Sequence, residues 1–252
     1  MPSLNSRLVL IATLVFCLGA ETDPDGRLYQ ASEDPLADVE QALGRADDAD
    51  RLALVVLGAN WCHDSRALAA RLHQSPLADV IQESYELVFV DVGFYELDRG
   101  VLQQFGVANY YATPTVLIID PSNGELINDE DRHIWTNAYS IDIESSVRYF
   151  EKWATLQRLY AEIDEFEEQQ AERVAAGYAV VGPMLEATVA GNRLEEFDAR
   201  WDELAAFRTA IPDDVRELRD EAQRRVADGE EDIQLVYPEY PELSWESEKP
   251  ID

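Results

Sequence analysis

Three short apolar runs restrict the fold more than any other feature of this chain: "LALVVLG" at 52–58, "ELVFVDV" at 86–92 and "PTVLIID" at 114–120. Each is dense in branched residues and lacks polar alternation, which is the pattern of a strand covered on both faces. Helical sequence lies between them. "PLADVEQALGRADD" at 35–48 puts Leu36, Val39 and Leu43 on one face. A helix is expected to start at Cys62 and run through "ALAARL", Ser75-Pro76 reads as the cap and first turn of the next, and "LDRGVLQQFGV" ends at Gly106. "PSNGEL" carries the Asn-Gly turn signal and leads to an edge strand near Leu126. Strands alternating with helices predict an α/β domain: a mostly parallel sheet, helices on both faces, and an antiparallel edge.

The rest of the chain differs in kind. From Asp142 to about Gln169, Val147, Phe150, Trp153, Leu156 and Leu159 form an apolar helical stripe. Residues 170–228 are helical and rich in Ala, Glu and Arg, with breaks expected near Gly182-Pro183 and Ile211-Pro212. Leu194, Phe197, Trp201, Leu204 and Phe207 recur at helical spacing, a pattern of packing rather than of a ligand box. The extension is expected to form a hairpin or small bundle against the domain, or an arm that binds a partner or dimerises. The acidic, proline-bearing end, 230–252, is expected to be an extended or disordered tail.

Fifty-one acidic residues against twenty basic ones give a formal charge of −31, so the chain repels phosphate backbones and anionic lipid surfaces. Nucleic acid is therefore excluded as a partner, and the charge reads as an acidic solvated surface. No glycine-rich phosphate loop occurs. Arg7 precedes the apolar run 8–20, which is too short to span a bilayer comfortably, and Gly19-Ala20 are small enough for cleavage. Residues 1–20 thus read as an export signal and 21–33 as a polar linker, with the mature protein periplasmic and not inserted in the membrane. Acylation of Cys17 is the alternative, and bulky Phe16 argues against it. Removal of the signal leaves Cys62 as the one thiol, which can form no internal disulfide.

That thiol lies in "NWCHDS" at a strand-to-helix junction. Unpaired N–H groups at a helix start stabilise an anion, so a thiolate here has a lowered pKa. Ser65, one turn on, can donate a hydrogen bond to the sulfur, and a protonated His63 would help further. His63 and Asp64 are adjacent and do not converge on an ion, and His73 and His133 lack ligand spacing, so no metal or cofactor is expected. A cysteine hydrolase would need a base near the sulfur, and nothing argues for the distant His133.

"NWC", the Cys-x-x-Ser spacing and the distal "ATPTVLIID" followed by "NGEL", in that order, resemble the thioredoxin superfamily from about residue 34 to 160. The closest likeness is to exported Gram-negative proteins with a WCHDS-type motif. The resemblance implies a thioredoxin-like fold, a central mixed sheet flanked by helices. It also implies a cis-proline at Pro114, flanked by Thr113, that opens a strand beside Cys62 and offers a free edge to a substrate peptide. Trp61 and His63 would line that site. The departures agree with one another. Ser65 replaces the resolving cysteine, Val56 stands where many relatives hold a buried aspartate, and Leu87 stands for a strand lysine. Two expectations follow. One is a monothiol exchange protein with Cys62 as nucleophile and Ser65 as donor, whose partners are protein thiols or disulfides or glutathione-like thiols. The other is a non-catalytic docking or chaperone module with Cys62 idle.

Overall fold

The computed structural model describes residues 27–96, 99–230 and 232–246. The expected signal segment, 1–20, lies outside the described residues. In chain order the elements are α1 (Pro35–Asp48), β1 (Leu52–Gly58), α2 (His63–Leu72), α3 (Leu77–Ser84), β2 (Tyr85–Asp91), α4 (Gly100–Gln104), β3 (Thr115–Asp120) and β4 (Glu125–Leu126). A 3-10 helix (Ile134–Ser140), α5 (Ile143–Val189) and α6 (Phe197–Ala227) follow.

The sheet order is β2-β1-β3-β4. β1 and β2 are parallel, while β3 runs antiparallel to both β1 and β4. The sheet is therefore mixed, with one parallel pair, rather than mostly parallel. β3 starts at the end of the sheet where β1 and β2 finish, and so runs back along β1. The Pro121–Gly124 turn then folds β4 onto β3, with Gly124 alone at positive φ (+74°).

β1 is buried along its whole length, and its side chains alternate between two cores. Leu52, Leu54 and Val56 face α2, α3, the 3-10 helix and the start of α5, beside Leu68, Trp135 and Phe150. Ala53, Val55 and Leu57 face α1 and α4, beside Val39, Val101 and Phe105. Asp34 caps α1 by accepting from the Ala37 N–H (3.1 Å), and Asp142 caps α5 by accepting from Ser145 N–H (2.6 Å).

Two expectations about the extension are corrected. Pro183 and Pro212 do not break the helices but lie inside α5 and α6. A proline inside a helix costs about 3 kcal/mol. Val181, Ile211 and Val215 beside these prolines are buried in the α5–α6 core, and that packing outweighs the lost backbone bonds. The end of the chain is also not a disordered tail over its described part. Residues 232–246 cross the helical pair and bury Ile233, Leu235, Leu243 and Trp245. The acidic residues between them face outward, and the apolar ones are numerous enough to repay the ordering. Trp245 donates to the Arg173 carbonyl (3.2 Å) and fills the space left by Gly177, where a Cβ would come within 2.9 Å of its ring. α5 passes residue 160, the expected domain boundary, without interruption.

Trp245→Ala should lower stability by about 3 kcal/mol, the usual cost of removing a buried tryptophan. Urea unfolding followed by circular dichroism measures this, and an unchanged midpoint would show that the strap contributes nothing.

Candidate functional site

The site is built from the ends of β1 and β3. Leu57 pairs with Thr115, so the residues just beyond Gly58 and just before Thr115 must meet. Cys62 is the N-cap residue of α2 and is partly buried. Its Sγ lies 3.2 Å from the Thr113 carbonyl oxygen, and the Thr113-Pro114 peptide is cis. Ser65 is fully buried in the first turn of α2. The geometry thus brings Cys62, Ser65, Thr113 and Pro114 together.

Opposing influences act on the sulfur. Partial burial pushes the thiol pKa up. The hydroxyls of Thr113 and Ser65 and the backbone N–H groups of Ser65 and Asp64 push it down, and together they outweigh burial. The thiol therefore ionises below the ordinary cysteine value. While protonated it donates to the Thr113 carbonyl. Ser65 Oγ is buried and makes no hydrogen bond of ordinary geometry. The thiolate is the acceptor it lacks.

Trp61 and His63 contact the loop after β2 and the 3-10 helix. Trp61 Nε1 donates to the Gly93 carbonyl (2.7 Å), and its ring packs on the loop after β2. His63 is exposed, with Nε2 3.1 Å from Asp64 Oδ2 and its ring against Tyr139. Asp64 is buried and accepts from the Tyr139 N–H (2.9 Å), which ties α2 to the 3-10 helix. Val56 is fully buried among apolar side chains, and Leu87 packs against the same cluster. No acid or lysine stands at either position. Among the described residues no three His, Cys, Asp or Glu side chains could hold a metal ion, and no helix is long and apolar enough to cross a membrane.

Tyr29 escaped the sequence reading. Its hydroxyl donates to the Ser65 carbonyl (3.1 Å) from a fully buried position under the thiol turn. Burial holds its phenol well above the ordinary tyrosine range, so it remains a neutral donor. The Asn60 amide clasps the Tyr29 backbone, donating to its carbonyl at 2.6 Å. Gly58 makes room for the ring, since a Cβ there would lie 2.5 Å from Tyr29 Cζ. A glycine closing an otherwise branched strand was the one available signal of this close approach.

Comparison with known families agrees with this geometry. Residues 34–121 match the family model described as Thioredoxin-like. The matched stretch runs from the cap of α1 to the end of β3 and contains Cys62, Ser65 and Thr113-Pro114. The fold is thioredoxin-like: a mixed four-strand sheet flanked by helices, with a long C-terminal helical region. A solved structure, the disulphide isomerase from Xylella fastidiosa Temecula1, aligns at 26% identity and a TM-score of 0.46. That alignment covers 49% of this chain and 94% of the other. No curated protein matches.

The pH profile of Cys62 alkylation by iodoacetamide should have its midpoint below about 8.5. Ser65→Ala and Thr113→Val should each move it up. Tyr29→Phe, which keeps the ring but loses the donor to Ser65, should move it in the same direction. Because the native pKa lies below the unfolded one, the thiolate contributes stability above the unfolded value, and this is lost as pH falls through the native value. A native midpoint at or above the free value would overturn this account of the sulfur.

Proposed function

We propose that this chain is an exported, periplasmic monothiol exchange protein in which Cys62 forms mixed disulfides with protein or small-molecule thiols. The observation that carries the reading is the placement of a partly buried cysteine at the cap of α2, beside the cis Thr113-Pro114 peptide and under hydroxyl and N–H donors. The Cys62 thiolate attacks one sulfur of a disulfide. A bond forms between that sulfur and Sγ, the old S–S bond breaks, and the second sulfur leaves with the electron pair as a thiolate. Ser65 cannot repeat the displacement, and no acid at Val56 assists one. Release therefore requires a second, external thiolate, which attacks the mixed disulfide and returns Cys62 to its thiolate form. Trp61, His63 and the Thr113-Pro114 edge frame the incoming segment. Export rests on Arg7, the apolar run 8–20 and the small Gly19-Ala20 pair.

The second reading, a docking module with an idle thiol, draws on the helical arm, where Tyr178, Leu185 and Val189 are exposed along one face of α5. Trapping separates the two. Protein isolated from acid-quenched cells should carry partners that reductant releases and that Cys62→Ala lacks. The same partners on both proteins would favour docking. Ser65→Cys should gain disulfide reduction with an added reductant, as a resolving thiol would allow. The periplasmic fraction should contain chain beginning at Glu21; an intact Met1 in the cytosolic fraction would refute export.

A further inference from the structure

Among the described residues of the thioredoxin-like domain, the exposed large apolar side chains are Trp61, Phe94, Tyr95, Tyr111, Ile134 and Tyr139. All are connected to the loops that frame Cys62. Trp61 precedes the thiol, Tyr111 lies two residues before Thr113, and Tyr139 meets the ring of His63 with centroids 5.7 Å apart. Trp61 stacks on Phe94 (6.3 Å) and meets the edge of Tyr95 (5.1 Å), which stacks in turn on Tyr110 (6.1 Å). Tyr111 meets His133, next to Ile134, at 5.8 Å. The rest of the domain surface carries no side chain of this kind among the described residues, so the clustering is specific to the thiol end.

A second, independent observation concerns the backbone. Tyr95 has φ +71°, a region that strains a bulky L-residue. Its ring touches those of Trp61 and Tyr110, yet it remains 60% exposed and Phe94 76% exposed. Strained backbone of this kind clusters at active sites and ligand-binding surfaces.

We propose that this aromatic collar docks a polypeptide segment that bears large apolar side chains beside a cysteine and no net negative charge. The proposal rests on the exchange reading above and narrows its substrate class. The thiol at the centre selects a sulfur-bearing partner. The rings supply flat apolar area at low entropic cost, which suits side chains of the same kind. The formal charge of −31 disfavours an acidic segment. Glutathione-type thiols, small, anionic and without a ring, gain little from such a surface.

The test uses two peptides, Trp-Cys-Phe and Ala-Cys-Ala, blocked at both ends and joined through cysteine to thionitrobenzoate. The Cys62 thiolate attacks the peptide sulfur, forming the Cys62–peptide disulfide. The bond to thionitrobenzoate breaks, and it leaves with the electron pair as a coloured thiolate. The full chain should react with the aromatic peptide at least about tenfold faster than with the alanine peptide. Glutathionyl thionitrobenzoate should resemble the alanine peptide. In the Phe94→Ser, Tyr111→Ser double variant the ratio should fall to within about twofold of unity. Both side chains are exposed, circular dichroism checks the fold, and the ratio is taken within each protein, so altered thiol reactivity cancels. Tyr178→Ser, on the far part of α5, should keep the native ratio.

A native ratio near unity, or one that survives the double substitution, would overturn the proposal. So would sedimentation showing native dimers that the double variant loses, because the collar would then belong to a second copy. If Cys62 is alkylated by iodoacetamide but exchanges with neither peptide, the exchange reading fails. The collar is then judged by titration calorimetry of Cys62→Ser protein with the two reduced peptides. Preferential binding of the aromatic peptide upholds it, and equal binding ends it.

Discussion

The antiparallel pairing of β3 with β1, which begins at Leu57–Thr115, governs the thiol end of the molecule. β3 enters the sheet at the end where β1 leaves it. Two segments about fifty residues apart in sequence are thereby brought together: the turn that carries Cys62 and the Thr113-Pro114 peptide, joined at 3.2 Å. The loop after β2 arrives at the same end, since β2 is parallel to β1, and it brings Phe94 and Tyr95 beside Trp61.

The sulfur at this junction is held by a balance of neutral groups. Among the described residues, the groups that favour its ionised form are all uncharged donors. Burial alone would keep it protonated, and two hydroxyls and two backbone N–H groups reverse that preference. These donors depend on the shape of the first turn of α2, which Tyr29 supports from below through the Ser65 carbonyl. The Tyr29 ring fits only because β1 ends in glycine. A residue on the strand end, a residue before α1 and a serine on α2 thus act together on one atom. Removing the phenol oxygen while keeping the ring separates the electrostatic part of this support from the packing part.

The helical region follows different rules. Its core is built from α5, α6 and the closing strap, and it is separate from the two cores of the sheet. α5 joins them: Phe150 packs in the sheet core, and Leu159 and Ile163 pack against α6. Continuous helix through Pro183 and Pro212 shows tertiary burial outweighing local preference. The strap shows the same in an acidic segment, where Ile233, Leu235, Leu243 and Trp245 are covered although their neighbours are charged.

Much of the fold was legible in residue order. The three apolar runs became β1, β2 and β3, and "NWCHDS" marked one half of the site, because strand burial and helix starts leave short-range signatures; "TPT", the other half, was marked by resemblance to the thioredoxin superfamily. Asn60 and Asp64 left none, and Tyr29 only the glycine that ends β1, since their roles depend on partners 31–75 residues away. The prolines of the extension and the tail misled for a related reason: local propensity and charge describe what a segment prefers alone, not what covers it. The residues by themselves therefore determined which segments are strands and where a thiol meets a helix start. Only the tertiary structure decided the direction of β3, the groups that set the thiol's ionisation and the aromatic rings around it, because each of these depends on contacts between segments distant in the chain.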